Sequence, residues 1–266
     1  MQVTCIQLDI TLGNVEENKK KAAIYIEKAA KSGAKVVVLP ELWTTGYCLE
    51  TIGHLIEDQE EIIKLLKNLA KQNEVTIVGG SIPTKNVDKL YNTLIVISKE
   101  GKLIKEYSKV HLFRLMNEHL YLNSGTSDGL FEIGNNQAAG MICYDLRFPE
   151  WFRMHAINGA EIIFVVAEWP TPRINQWKVM LQSRAIENQC YIVGCNRVGT
   201  DESNEFGGHS LIIDPYGTVL AEGGEREELI TAQINLSLVT EARQYIPILS
   251  DRQPEMYEKL QSKSVK

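Results

Sequence analysis

The sequence predicts an α/β protein with an internal pseudo-two-fold duplication, in which two mixed sheets pack face to face and helices cover the outsides. Three observations lead there. Short, almost wholly apolar runs such as Val36-Val37-Val38-Leu39 read as strands buried on both faces. Segments with helical apolar spacing lie between them. The same order of elements then occurs twice along 266 residues, which favours one duplicated fold over two independent domains.

The first half opens on Gln2-Val-Thr-Cys-Ile-Gln-Leu-Asp9, a strand. Residues 15–32 carry apolar residues at helical intervals, with Asn14 as N-cap and Gly33 as the stop. A buried strand over 35–39 and a second amphipathic helix over 58–73 follow. Strands are predicted over 75–82 and 90–97, then a turn at Lys99-Glu-Gly101-Lys and a return strand over 102–107. The second half repeats the series: a strand over 138–145, a helix over 149–158 and a strand in Gly159-Ala-Glu-Ile-Ile-Phe-Val-Val. A helix over 176–188, a strand over 188–194 and a hairpin over 211–222 complete it. A single domain over 1–246 is expected, with 247–266 as a polar C-terminal extension whose last residues, 262–266, fray unless they dock on a partner.

Composition sets limits on function. Hydrophobic content of 44% and charged content of 23% are those of a globular protein. A net charge of −6 leaves no basic footprint for nucleic acid. Five cysteines in no framework pattern point to a reducing compartment. The first residues lack the features of a secretory signal, and no apolar run reaches the roughly 20 residues that span a bilayer. The expectation is a cytoplasmic protein with no membrane and no nucleic-acid partner.

Chemistry concentrates at three strand ends, where sites of open α/β sheets lie. Gly140-Met-Ile-Cys143-Tyr-Asp145-Leu-Arg147 takes an apolar run into a thiol and then into polar residues. The run 36–39 ends in Pro40-Glu41, and Ile104-Lys-Glu-Tyr-Ser-Lys109 delivers an amine. Each residue alone has an ordinary reading: a core cysteine, a solvated carboxylate, a surface lysine. Cys5, Cys190 and Cys195 keep that reading. Together, Glu41, Lys109 and Cys143 are the parts of a nucleophilic amide-cleaving site. An adjacent ammonium would lower the thiol pKa, and Glu41 would accept the proton as general base. Lys109 and the backbone N–H of Tyr144 would face the oxyanion. The five histidines form no metal motif, and there is no dinucleotide loop or serine elbow, so no metal and no cofactor are expected.

These residues resemble the nitrilase, or carbon–nitrogen hydrolase, superfamily, whose Glu-Lys-Cys triad matches Leu39-Pro-Glu41, Lys109-Val-His111 and Ile142-Cys143-Tyr144-Asp145-Leu-Arg147-Phe-Pro-Glu150. The resemblance runs from the first strand to about residue 246. It implies a four-layer α-β-β-α sandwich, a homodimer, and a second glutamate that positions the lysine and substrate, which falls on Glu118. Spacing alone reads Glu118 as a solvated loop residue. Lys109-Val-His-Leu-Phe-Arg114, Glu118-His-Leu-Tyr121, Trp169-Pro-Thr-Pro-Arg173 and Arg184-Ala-Ile-Glu-Asn-Gln189 look most like bacterial ω-amidases, some associated with methionine salvage. That subgroup removes the distal amide of 2-oxo acid amides such as 2-oxoglutaramate and 2-oxosuccinamate. Such a small-molecule substrate needs a cation for its far carboxylate, for which Arg147 is the first candidate and Arg173 the second. Tyr47 and Trp169 could wall the pocket. Carbamoyl-amine amidase or nitrilase chemistry on the same triad, or a scaffold that has lost catalysis, stay open as alternatives.

Overall fold

The computed structural model describes residues 1–56 and 59–261. The first half runs β1 (Gln2–Gln7), α1 (Val15–Lys31), β2 (Val36–Val38), α2 (Gln59–Asn73), β3 (Thr76–Asn86), β4 (Lys89–Ile97), β5 (Leu103–Ser108) and the short α3 (Glu118–Tyr121). The second half runs β6 (Leu130–Ile133), β7 (Asn136–Ile142), α4 (Pro149–Ile157), β8 (Ile162–Ala167), α5 (Ile174–Asn188) and β9 (Tyr191–Asn196). A small ribbon of β10 (Val198–Thr200) and β11 (Glu205–Gly207) follows, then β12 (Leu211–Ile213), β13 (Val219–Glu222), β14 (Glu228–Gln233), α6 (Ser237–Tyr245) and α7 (Pro254–Gln261).

The two six-stranded sheets have the orders β14-β1-β2-β3-β4-β5 and β6-β7-β8-β9-β12-β13. Strands β1, β2 and β3 pair in parallel, as do β7, β8 and β9. The pairs that follow on each side are antiparallel. Each sheet also carries one antiparallel strand outside its first parallel strand, β14 beside β1 and β6 beside β7. The duplication expected from the echoing segments is therefore present in strand order and direction.

Strand alternation builds the layers. Val36 and Val38 join the core shared with Met141, Ile163 and Val165 of the other sheet, while Val37 turns to the helices with Ala22, Ile26 and Leu66. Asn14 caps α1 by accepting from the Glu17 N–H, as expected. The turn at 99–102 closes with the Ser98 N–H donating to Lys102, and Gly101 supplies the positive φ of 79°. Residue 58, the expected start of the second helix, and the tail 262–266 lie outside the described residues.

Three expectations change. The strand over 138–145 ends at Ile142, because Cys143 takes φ 66° and starts a 3-10 turn, Cys143–Arg147. Strand β3 extends to Asn86, beyond 82, through a bulge between Val78 and Ser81. Strands β6 and β14 and helices α6 and α7 had no counterpart in the sequence reading. No helix of the described residues is long and apolar enough to cross a membrane.

Candidate active site

Glu41 stands on a turn that β3 is shaped to hold. At the bulge, Gly80 adopts φ 57° and leaves room for the Pro40 carbonyl, which a Cβ would meet at 2.0 Å. The Ser81 N–H donates to that carbonyl, and Ser81 Oγ accepts from the Leu42 N–H. Gly80 thus lets the chain pass close enough to aim Glu41 inward.

Lys109 directly follows β5, and its N–H donates to the Asn92 carbonyl on β4. Its side chain is fully buried, as are those of Glu41 and Glu118. Lys109 Nζ donates to Glu41 Oε1 at 2.9 Å and to Glu118 Oε1 at 2.7 Å. Glu41 Oε1 also accepts from Asn92 Nδ2 at 2.8 Å, and Glu41 Oε2 accepts from the Glu168 N–H at 2.9 Å. Glu118 sits at the start of α3, where Asn117 in the left-handed region turns the chain, and the Phe113 N–H donates to its Oε2. The reading of Glu118 as a solvated loop residue is corrected: it is wholly enclosed, and only the family resemblance pointed to it.

Tyr47 was expected as pocket wall. It does line the cavity, but its hydroxyl belongs to the charged cluster, 2.8 Å from Glu41 Oε1 and 2.6 Å from Glu118 Oε1, with Lys109 Nζ at 3.2 Å. A phenol has one proton, so only one of those carboxylate contacts can be its donation. The other requires a proton on a carboxyl. Burial pushes the Glu118 carboxyl up, which suits it to carry that proton, and the flanking carboxylates raise Lys109 well above its usual range so that it stays an ammonium.

Cys143 occupies an elbow. A left-handed conformation costs a non-glycine residue roughly 1–2 kcal/mol, and the surroundings hold it. Asp145, fully buried, accepts from the Ile142 N–H at 3.0 Å and from Tyr107 Oη at 2.8 Å. Arg184 of α5 donates twice to the Leu146 carbonyl. Cys143 keeps 5% of its surface exposed and lines the cavity described next. The expected lowering of its pKa is reversed. Burial, then the Glu41 charge, pushes the thiol well up, and the opposing pull of Lys109 is smaller. The resting sulfur is protonated.

Tyr47, Cys143, Tyr144, Arg147, Trp169 and Arg173 line one small, partly open cavity of about 10 Å³, together with Phe113, Met116, Glu168 and Pro170. Arg147 lies over the Trp169 ring at 4.9 Å and donates to Gln176; Arg173 lies over Phe113 at 5.6 Å. Neither guanidinium has a carboxylate partner among the described residues. All nine residues singled out in the sequence thus meet in the charged cluster or the cavity beside it. The sequence reading missed Glu168 and Asn92. Glu168 carried the same signal as Glu41, a carboxylate directly after the apolar run Ile162–Ala167.

A buried acid–amine pair beside a thiol on an elbow, set between two duplicated sheets, defines a class. The sequence matches the carbon–nitrogen hydrolase family over residues 2–244, and the chain belongs to that family. It is an enzyme that hydrolyses carbon–nitrogen bonds. It is similar to the 2-oxoglutaramate amidase of Bacillus subtilis, 50% identical over 96% of this chain and 98% of that protein. It is also 30% identical to the omega-amidase NIT2 of Homo sapiens, over 96% of both. The solved structure of Saccharomyces cerevisiae Nit3, a member of the nitrilase superfamily, superposes with a TM-score of 0.88 at 32% identity, over 96% of each chain.

Proposed function

We propose that this enzyme is an ω-amidase that hydrolyses the distal amide of 2-oxo acid amides, such as 2-oxoglutaramate and 2-oxosuccinamate, to ammonia and the 2-oxo dicarboxylate. The observation that carries this is a cavity with the Cys143 thiol in its wall, an acid–ammonium cluster beside it and two arginines around it that have no acidic partner among the described residues. Kinship with the Bacillus subtilis protein supports the substrate.

Glu41 takes the thiol proton as the sulfur attacks the amide carbon. The oxyanion forms between the Lys109 ammonium and the Tyr144 N–H, which, early in a 3-10 turn, has no partner within that turn. Glu41 then gives its proton to the leaving nitrogen, the C–N bond breaks, and ammonia departs from an acyl-thioester. Water attacks that thioester with Glu41 again as base, and the proton returns to sulfur as the C–S bond breaks. Glu118 holds Lys109 in place. A thiol this high in pKa is not a standing thiolate, so base-assisted attack is the route that fits.

Arg147 and Arg173 would bind the far carboxylate, with Trp169 and Tyr47 as walls. A cavity of about 10 Å³ has room for roughly one water, so the outer wall of Met116, Arg147 and Arg173 moves outward to admit a five-carbon acid.

The catalytic domain is read as 1–246 and the remainder as an arm against a second copy. Exposed Met154 and Ile157 on α4, Val179 and Ile186 on α5, and Tyr245, Met256 and Leu260 near the arm support a homodimer. Sedimentation tests it, and a monomer would refute it. Five free cysteines support a cytoplasmic setting.

The test of the activity is ammonia release from 2-oxoglutaramate across a panel of amides, ureido acids and nitriles. Cys143→Ala is expected to abolish it in a folded protein. Full turnover by that variant, or preference for a nitrile, would sink the reading.

A further inference from the structure

Glu168 has no part in the mechanism above beyond its main chain. Its N–H donates to Glu41 Oε2 at 2.9 Å, so its backbone lies one hydrogen bond from the base. Its side chain is buried, and the residue lines the cavity with Cys143, Arg147 and Arg173. Oε2 accepts from Arg197 Nη1 at 3.0 Å. Oε1 is buried with no hydrogen-bond partner among the described residues. Buried polar atoms rarely stay unpaired unless something absent from the resting protein completes them. The cavity that Glu168 lines is where such a group can reach Oε1, a water in the resting protein and a substrate oxygen once that water is displaced.

We propose that Glu168 is a substrate-contacting residue whose free oxygen, Oε1, hydrogen-bonds an oxygen of the acid end of the bound amide. The proposal rests on the ω-amidase reading, because that substrate class brings carboxylate and 2-oxo oxygens beside Arg147 and Arg173. Burial carries the Glu168 carboxyl to about 8, against the opposing pull of Arg197 and with Glu41 and Asp201 adding to the rise. At neutral pH it is a carboxylic acid. Arg197 occupies Oε2, so the proton sits on Oε1 and makes it a donor. The site then presents two cations and one neutral donor to an anion. Above pH 8 the donor becomes a buried anion that repels the same substrate.

Other titratable and charged groups face Glu168. Glu41 and Asp201 face it as charges, Arg197 pairs with it and reaches toward Asp9, and the Cys48 thiol, itself raised, feels its charge. Across the cavity the Cys143 thiol and the Tyr47 phenol are pushed well up, and Arg147 and Arg173 line the same space.

The test is KM for 2-oxoglutaramate between pH 6 and 9.5 in the wild type, Glu168→Gln and Glu168→Ala. Wild-type KM is expected to rise through pH 8. Glu168→Gln keeps an acceptor for Arg197 and a donor for substrate, so its KM should no longer climb over that interval. Glu168→Ala should raise KM about tenfold at pH 7, the worth of one hydrogen bond. If the alanine variant does not fold, the wild-type and glutamine profiles decide alone. A flat wild-type profile, or a glutamine variant that follows the wild type, overturns the role of Glu168 and leaves the ω-amidase reading standing. No wild-type turnover of 2-oxoglutaramate overturns both.

Discussion

Asp145 Oδ1 lies 2.7 Å from His111 Nδ1 and accepts the His111 N–H at 3.1 Å. The elbow after Cys143 is thereby tied to the segment that carries Lys109 two residues earlier. Stacking of His111 on Phe148, with ring centroids 3.7 Å apart, tightens the tie from the other side. Asp145→Asn should cost about 2–4 kcal/mol, since an amide turns a donor toward groups that are themselves donors. It should also lower kcat as the sulfur drifts from the lysine. Chemical denaturation alongside steady-state rates checks this, and an unchanged pair of values would show the tie to be dispensable.

Lys109→Met removes the ammonium that bridges the enclosed Glu41 and Glu118 side chains. The expected loss is about 3–5 kcal/mol of stability, the penalty for uncompensated buried charge. kcat should fall at least ~100-fold with the proposed oxyanion donor gone. Lower pH should recover part of the stability as the carboxyls take up protons, but none of the rate. Melting curves at pH 5 and 7 separate the two effects.

Tyr47→Phe deletes the hydroxyl between Glu41 and Glu118 while keeping the ring in the cavity wall. A fall of about tenfold in kcat with little change in KM is expected, because the phenol acts on the base and not on the acid end of the substrate. A rise in KM alone would return Tyr47 to the role of pocket wall.

Gly80→Ala should damage folding more than any exposed substitution. The new Cβ would meet the Pro40 carbonyl at 2.0 Å, and φ 57° is strained for alanine. Soluble yield and melting temperature should both drop, and any folded fraction should have a displaced Glu41. Wild-type behaviour would mean that the bulge gives way freely.

The raised Glu168 carboxyl also makes stability depend on pH. In the unfolded chain it ionises near 4.5, and in the fold near 8. Between those values the fold holds the extra proton, so its stability falls as pH climbs from 4.5 to 8 and then levels off. Glu168→Gln lacks this contribution. Its melting temperature should therefore lose less than the wild type's over that range, and parallel curves would contradict the shift.

Much of this site could be read from strand ends. Cys143, Glu41 and Lys109 were legible because apolar runs stop abruptly at each, and the duplicated order told which ends could converge. Glu168 ends such a run too, but a carboxylate at a strand end reads equally well as solvated, and only its enclosure beside Glu41 and Arg197 sets it apart. Glu118 was illegible from pattern, since a four-residue helix has no periodicity and enclosure depends on Lys109 and Tyr47 arriving from elsewhere. The sign of the Cys143 shift was also out of reach. Sequence names the neighbours of a thiol but not how completely they exclude water, and here exclusion outweighs the lysine. β14 has only a weak alternation, and its partner β1 lies more than 200 residues away, so no local pattern could announce the pairing.

That pairing constrains how the enzyme is made. Gln2 lies opposite Gln233, and Gln7 opposite Glu228. During synthesis the amino-terminal sheet must wait with one border open until residue 233 has left the ribosome. Truncating the gene before residue 228 should therefore yield no half-enzyme with a preformed acid–amine cluster, only an unfinished edge prone to sticking.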